Sequence, residues 1–200
     1  MMEYYMFNKP RGPISARRDP RHRTVMDYFP EAARDELFPV GRLDRDTEGL
    51  MIITNDGALA HRLMSPENKI TKTYYFVAVG TLTEQMRREL ESGITINCNG
   101  GFTTAPATVK VDRVGVISVF SEFLSEREDK LLKKKPNTPS VSGYVTVTEG
   151  KKHEVRLMLG YANCRVVFLR RVSIAGLRLD GELPLGKYRP LTENELSLLK

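Results

Sequence analysis

Residues 42–46 read Arg42-Leu43-Asp44-Arg45-Asp46, two carboxylates and two guanidinium groups in one polar turn. One ionised Asp in such a turn can serve as a nucleophile or can steady positive charge at a reacting carbon. Two carboxylates can instead divide acid and base work, as in the hydrolysis of a glycosidic or nucleosidic bond. Side chains two apart in a turn seldom face each other across a substrate, so the pairing of Asp44 with Asp46 ranks last. Asp44 at the centre of the turn is therefore the leading candidate, able to be held rigidly and still reach a ligand. Arg42 reads equally well as a phosphate clamp or as a salt bridge to Asp46.

The surrounding elements must hold that turn. It lies within FPVGRLDRDTEGLMIITNDG, Phe38 to Gly57, where Gly41 and Gly49 bracket it and permit a tight backbone path. The short apolar run Leu50-Met51-Ile52-Ile53, closed by Asn55-Asp56-Gly57, predicts a buried strand that anchors the turn before it. Asn55 or Asp56 can cap a short helix from Ala58 to Met64, which stops at Ser65-Pro66. Upstream, Tyr4 to Phe7 predicts a strand ending in the turn Asn8-Lys9-Pro10-Arg11-Gly12-Pro13. Lys72 to Gly80 predicts another strand, with Tyr74, Phe76 and Ala78 on one face.

GRLDRDTEGL followed by TNDG resembles the signature of the RNA pseudouridine synthases, in the branch that modifies ribosomal RNA of the small or large subunit at single sites. The opening NKPRG, the K-x-Y run Lys72-Thr73-Tyr74 and the later EGKKHEVRLML resemble further motifs of the same family. The resemblance implies that Asp44 is the catalytic carboxylate, that Tyr74 lies beside it as base-stacking group and proton acceptor, and that Arg156 is its ion-pair partner. It offers Arg42 a third role, filling the space left by a flipped base. Close relatives usually carry Arg-Gln where this chain has His153-Glu154, and Arg where it has Leu157, which leaves Arg156 in place while altering its neighbourhood. The reaction that the resemblance implies breaks and remakes one sugar–base bond, so no cofactor and no metal are expected.

Composition is compatible with that reading. The chain has 200 residues and a formal net charge of +6, and its pI of about 9.3 points to a polyanionic partner without fixing which. With the resemblance, the partner expected is RNA, ribosomal in particular. The densest basic segment, SARRDPRHR from Ser15 to Arg23, would alone read as a solvated loop; with the resemblance, Arg17, Arg18 and Arg21 are expected at phosphates, because a planar guanidinium can meet two phosphate oxygens at once. Lys72, Lys151 and Lys152 are expected RNA contacts as well. Cys98 and Cys164 are too few for a disulfide scaffold or a four-ligand zinc site and read as reduced, half-buried thiols. The start lacks a basic segment followed by an apolar one, and no stretch is apolar enough to span a membrane, so a cytoplasmic monomer is expected.

Elsewhere, Thr83 is placed to cap a helix from Glu84 to Ser92 that ends at Gly93. Ile94 to Thr104 reads as a hairpin turning at Asn99-Gly100-Gly101; Ala107 to Val114, Val116 to Phe120 and Tyr144 to Thr148 read as strands. A helix should begin near His153. Arg165 to Ile174 reads as two short β segments, Gly186 to Leu191 as a last strand, and Thr192 to Glu195 as the capping box of a terminal helix. The pattern fails between residues 121 and 142, which read as an inserted, mobile excursion. The fold class expected is α+β with a largely antiparallel mixed sheet and flanking helices, which the resemblance sharpens to a curved sheet with a central active-site cleft. One catalytic domain over residues 1–200 is expected, possibly as two subdomains sharing a sheet. The chain reads as that domain without the S4-like RNA-binding domain that many members carry ahead of it. The alternative function is a non-catalytic RNA-binding or ribosome-assembly protein on the same fold.

Overall fold

A computed structural model describes residues 1–97 and 100–199 of the chain. In chain order, strands β1 (Tyr4–Lys9), β2 (Phe38–Pro39) and β3 (Glu48–Thr54) precede helix α1 (Gly57–Met64). Then come β4 (Lys72–Val79), α2 (Glu84–Ser92), β5 (Thr95–Ile96), β6 (Phe102–Thr103), β7 (Thr108–Val116), α3 (Glu126–Lys134) and β8 (Pro139–Val147). Helix α4 (Glu154–Tyr161), β9 (Arg165–Ile174), β10 (Leu177–Arg178), β11 (Tyr188–Pro190) and α5 (Glu193–Leu199) complete the order. The chain divides into unit 1, Met1–Lys72 with Arg170–Lys200, and unit 2, Thr73–Leu169. Among the described residues no helix is long and apolar enough to cross a membrane.

In unit 1, β3 is buried along its whole length, as a continuous apolar run requires when both faces of a strand are covered. It pairs antiparallel with β1, from Tyr4 opposite Thr54 to Lys9 opposite Gly49, and parallel with β9 at Glu48–Arg170 and Gly49–Arg171. The strand order there is β11-β1-β3-β9. Met6, Leu50, Ile52, Leu59, Leu63 and Ile174 form one apolar cluster. Asp56 caps α1 by accepting from the Leu59 amide at 2.9 Å. After Thr24 the chain forms two 3-10 helices, Val25–Tyr28 and Glu31–Asp35, which bring Phe29 onto the Tyr188 ring with centroids 4.0 Å apart.

In unit 2, the order is β7-β8-β4-β9, with β7 and β8 antiparallel and a bulge between Val111 and Arg113. Phe76, Leu90, Val109, Val145, Val155 and Met158 belong to its main apolar cluster. Thr83 caps α2 through the Met86 amide at 3.2 Å, and Gly93 ends it at φ +88°. The segment expected as a strand from Val116 to Phe120 is instead part of a 3-10 helix, Ile117–Phe123. Its buried residues, Ile117 and Phe120, recur every third position with Ser118 and Val119 exposed between them, which is a helical period rather than a strand's.

Within residues 121–142 the chain forms α3 and then enters β8 at Pro139. Phe123 and Leu124 pack against Val77, Ile117, Phe120, Val167 and Phe168. Arg165 to Ile174 is one ten-residue strand, not two short ones. Cys164 is fully buried rather than half-buried, and burial pushes its thiol pKa up. Cys98 and Asn99 of the expected hairpin lie outside the described residues; the hairpin itself is present as β5 paired with β6.

Candidate functional site

The Asp44 turn is held by contacts made to its main chain. The Thr47 amide donates to the Asp44 carbonyl at 3.0 Å, closing the turn. Gly12 and Arg45 grip each other twice, the Gly12 amide on the Arg45 carbonyl at 2.8 Å and Arg45 Nε on the Gly12 carbonyl at 3.0 Å. Ser15 bridges both backbone groups of Leu43, accepting from its amide at 2.9 Å and donating to its carbonyl at 2.8 Å. Beneath the turn lies Lys9, fully buried. Its ammonium donates to the carbonyls of Thr47 at 2.9 Å, Pro10 at 3.0 Å and Asp44 at 3.1 Å. With the main chain fixed in this way, the Asp44 side chain stands half-buried while Arg42, Arg45 and Asp46 are exposed.

Charge is arranged around the same turn. Burial lowers the Lys9 pKa to about 8, against the pull of Asp46, Asp44 and Glu48 and with the help of Arg171. Glu48 is gripped by Arg11 at 3.1 Å and Arg170 at 2.8 Å. Arg171, only 2 % exposed, donates from Nε to the Leu50 carbonyl at 2.8 Å. Gly49 is forced by this packing: its φ is +104°, and a Cβ there would sit 2.3 Å from the Arg171 carbonyl oxygen. Two buried cations, Lys9 and Arg171, thus underlie a turn rich in carboxylates.

Unit 2 carries the other two expected catalytic residues. Tyr74, on β4, is half-buried and packs against the main apolar cluster. Arg156 lies in the first turns of α4, half-buried, and lines a shallow groove with Gly160, Asn163, Cys164, Arg165 and Val166. The turn before α4 is tight, with His153 in the left-handed region at φ +58°. Lys151 is tied down there, its ammonium donating to the Thr103 carbonyl at 2.7 Å and pairing with Glu149 at 2.6 Å.

The expected RNA contacts separate by environment. Lys72 is 5 % exposed, with its ammonium on the Ile70 carbonyl at 3.1 Å; a lysine so buried is poorly placed for a phosphate, and this corrects the expectation of a surface contact. Arg17 donates from Nε to the Arg34 carbonyl at 2.9 Å, and Arg18 pairs with Asp35. Arg17, Arg18, Arg21, Arg42 and Lys152 are all exposed. Sequence reasoning missed Lys9, Glu48 and Arg171 as supports of the turn. A charged residue inside a strand pattern is the signal that points to them. Among the described residues no three of His, Cys, Asp and Glu come together as a metal site would require.

Known proteins share this organisation. Residues 3–161 match the family described as RNA pseudouridylate synthase. An uncharacterized RNA pseudouridine synthase of Bacillus subtilis, YtzG, is 40% identical over 197 residues, which is 98% of this chain and 72% of that protein. The ribosomal small subunit pseudouridine synthase A of Escherichia coli K12 is 31% identical over 194 residues, 97% of this chain and 72% of that one. A crystal structure of a pseudouridylate synthase superposes with a TM-score of 0.81 at 28% identity, covering 100% of this chain and 74% of the other. Pattern, relatives and backbone agree, and the chain belongs to the RNA pseudouridine synthases, isomerases that act on uridine in RNA.

Proposed function

We propose that this enzyme isomerises a specific uridine of ribosomal RNA to pseudouridine and that Asp44 is its nucleophile. The observation that supports the nucleophile is the Asp44 turn, whose main chain is held from below by Lys9 while the side chain stays half-buried. Ribosomal RNA as substrate is supported by likeness to the small-subunit enzymes, which are 31% identical in Escherichia coli and 34% in Pseudomonas aeruginosa.

The target uridine leaves its stack, a step that costs least in a loop or mismatch. The Asp44 carboxylate attacks the ribose or the base as the bond from C1′ to N1 breaks. The base turns, C1′ joins C5 as the bond to Asp44 breaks and frees its carboxylate, the C5 proton departs and N1 takes one up. Atoms and electrons balance without any external oxidant or reductant. Tyr74 stacks on the base and accepts the C5 proton. Arg156 supplies positive charge to the reaction. Arg42, exposed beside the turn, either occupies the space vacated by the flipped base or clamps a phosphate. Arg17, Arg18, Arg21 and Lys152 contribute sequence-independent phosphate contacts.

The test pairs two measurements. Pseudouridines mapped in total RNA from cells with and without the gene should differ at one ribosomal uridine; identical maps refute the substrate. Purified Asp44→Asn should fold and bind the RNA yet form no pseudouridine, and retained turnover refutes the nucleophile.

A further inference from the structure

The turn between β8 and α4 holds two carboxyl groups for which the isomerisation has no use. Glu149 meets an N–H at each oxygen: Oε1 accepts from the Ala105 amide at 2.7 Å and Oε2 from the Lys151 ammonium at 2.6 Å. Glu154, the first residue of α4, is 4 % exposed and is served differently. Its Oε2 accepts from the Lys151 amide at 3.2 Å, whereas Oε1 is buried with no N–H or hydroxyl donor among the described residues. The two carboxyls lie within hydrogen-bonding reach of each other. Two ionised carboxylates at that range can only accept and so repel, and the buried Glu154, with one oxygen lacking a donor, is the carboxyl that keeps its proton.

This pair is tied to its surroundings. The Lys151 ammonium also donates to the Thr103 carbonyl at 2.7 Å and lies 4.9 Å from the centroid of the Phe102 ring, so the turn is fastened to β6. Glu149 and Lys151 are the charged groups that face Glu154, while the β6 side contributes a carbonyl and a ring. The helix begins here, with the Glu154 amide on the Lys151 carbonyl at 3.1 Å and the Leu157 amide on the His153 carbonyl at 2.9 Å. Arg156 is two residues further on. His153 holds a left-handed backbone, which persists only while its neighbours over-determine it.

We propose that protonated Glu154, hydrogen-bonded to Glu149, is a positioning residue for Arg156: while the proton stays, the turn and the start of α4 are fixed, and its loss sets two carboxylates against each other and loosens them. The part that concerns turnover rests on the reading of Arg156 as a member of the active site; the proton itself does not. Burial, then the bond to Glu149 and its charge, push the Glu154 pKa to about 8, so the transition falls in an accessible range.

The protonation is tested by titrating carbon-13-labelled glutamate carboxyls by NMR, with Glu154→Gln assigning the resonance. A midpoint near pH 8 is expected, and one below pH 6 overturns the proposal whether or not the protein isomerises RNA. In Glu149→Gln the new amide can donate to Glu154 and the opposing charge is gone, so the midpoint should fall towards the ordinary carboxyl range; an unmoved midpoint overturns the pairing. Positioning is tested by amide hydrogen exchange of residues 150–157, corrected for the intrinsic pH dependence. Protection should drop about tenfold between pH 7 and pH 9 in the wild type and hold in Glu154→Gln; equal behaviour overturns it. With ribosomal RNA as substrate, the ratio of kcat for Glu154→Gln to that of the wild type should rise by about tenfold over the same range, and a constant ratio overturns the link to Arg156. If neither protein forms pseudouridine at any pH, the functional reading fails and exchange alone decides positioning.

Discussion

The ammonium of Lys9 lies 3.1 Å from the carbonyl oxygen of Asp44, so the main chain of the residue that presents the carboxylate is held from beneath. Lys9→Met should remove the one buried ammonium that the carbonyls of Pro10, Asp44 and Thr47 share and cost on the order of 3 kcal/mol, measured by urea unfolding. Turnover should fall by at least about a hundredfold in the protein that remains folded, since the proposed nucleophile, if misplaced, forfeits its alignment. Unchanged turnover would mean that the turn holds itself.

Two glycines with similar φ should respond very differently to a methyl group. Gly49→Ala places Cβ 2.3 Å from the Arg171 carbonyl oxygen, at a φ of +104°, and is expected to cost on the order of 3 kcal/mol or more. Gly12→Ala, at φ +110° with nothing within 4 Å of the new atom, bears the conformational cost alone, about 1–2 kcal/mol. Equal losses in denaturant titrations would refute the steric account.

Glu48→Gln should be more damaging than a typical surface substitution. Its side chain is 9% exposed and answers both Arg11 and Arg170; removing the charge takes one counter-ion from each guanidinium. A loss of about 2–4 kcal/mol is expected in urea unfolding, and a change below about 0.5 kcal/mol would show that other partners carry the arginines.

Stability should vary with pH in two windows of opposite sign. Glu154 has a folded pKa raised to about 8, above its unfolded value of about 4.3. The folded state therefore binds the extra proton between those values, and the Glu154 contribution is full at acid pH and lost as pH rises through 8. Lys9 has a folded pKa lowered to about 8 from 10.5. Between those values the unfolded chain holds the extra proton, so the Lys9 contribution grows with pH. Calorimetry across pH 5 to 10.5 should lose the first slope in Glu154→Gln and the second in Lys9→Met.

Within the basic segment, pairing should decide which arginine matters. Arg18 already answers Asp35, whereas Arg21 is exposed and its backbone amide is braced by Asp19 at 2.9 Å. Arg21→Ala should weaken RNA binding and reduce the slope of log affinity against log salt by about 0.7, with a smaller change for Arg18→Ala. A slope unaltered by both would place the RNA elsewhere on the surface.

Sequence alone makes β3 readable, because Leu50 to Ile53 is an unbroken apolar run between turn signals and is buried throughout. The caps at Asp56 and Thr83 are readable for the same local reason. The Val116 to Phe120 segment misleads, since β-branched residues suggest a strand while burial follows a period of three. Asp44, Tyr74 and Arg156 are legible as candidates because each lies in a contiguous motif. The role of Lys9 is not, because it depends on carbonyls about 35 residues away in sequence. Nor is the proton on Glu154, which exists only once burial and Glu149 are in place.

Unit 2 is a continuous stretch of chain, whereas unit 1 is made from both ends of it. During synthesis all of unit 2 is therefore polymerised before the partners of Glu48 and Gly49 at Arg170 and Arg171 exist. The strand behind Asp44 waits for nearly the last part of the message, so a polypeptide ending before residue 170 should leave the Asp44 turn unformed.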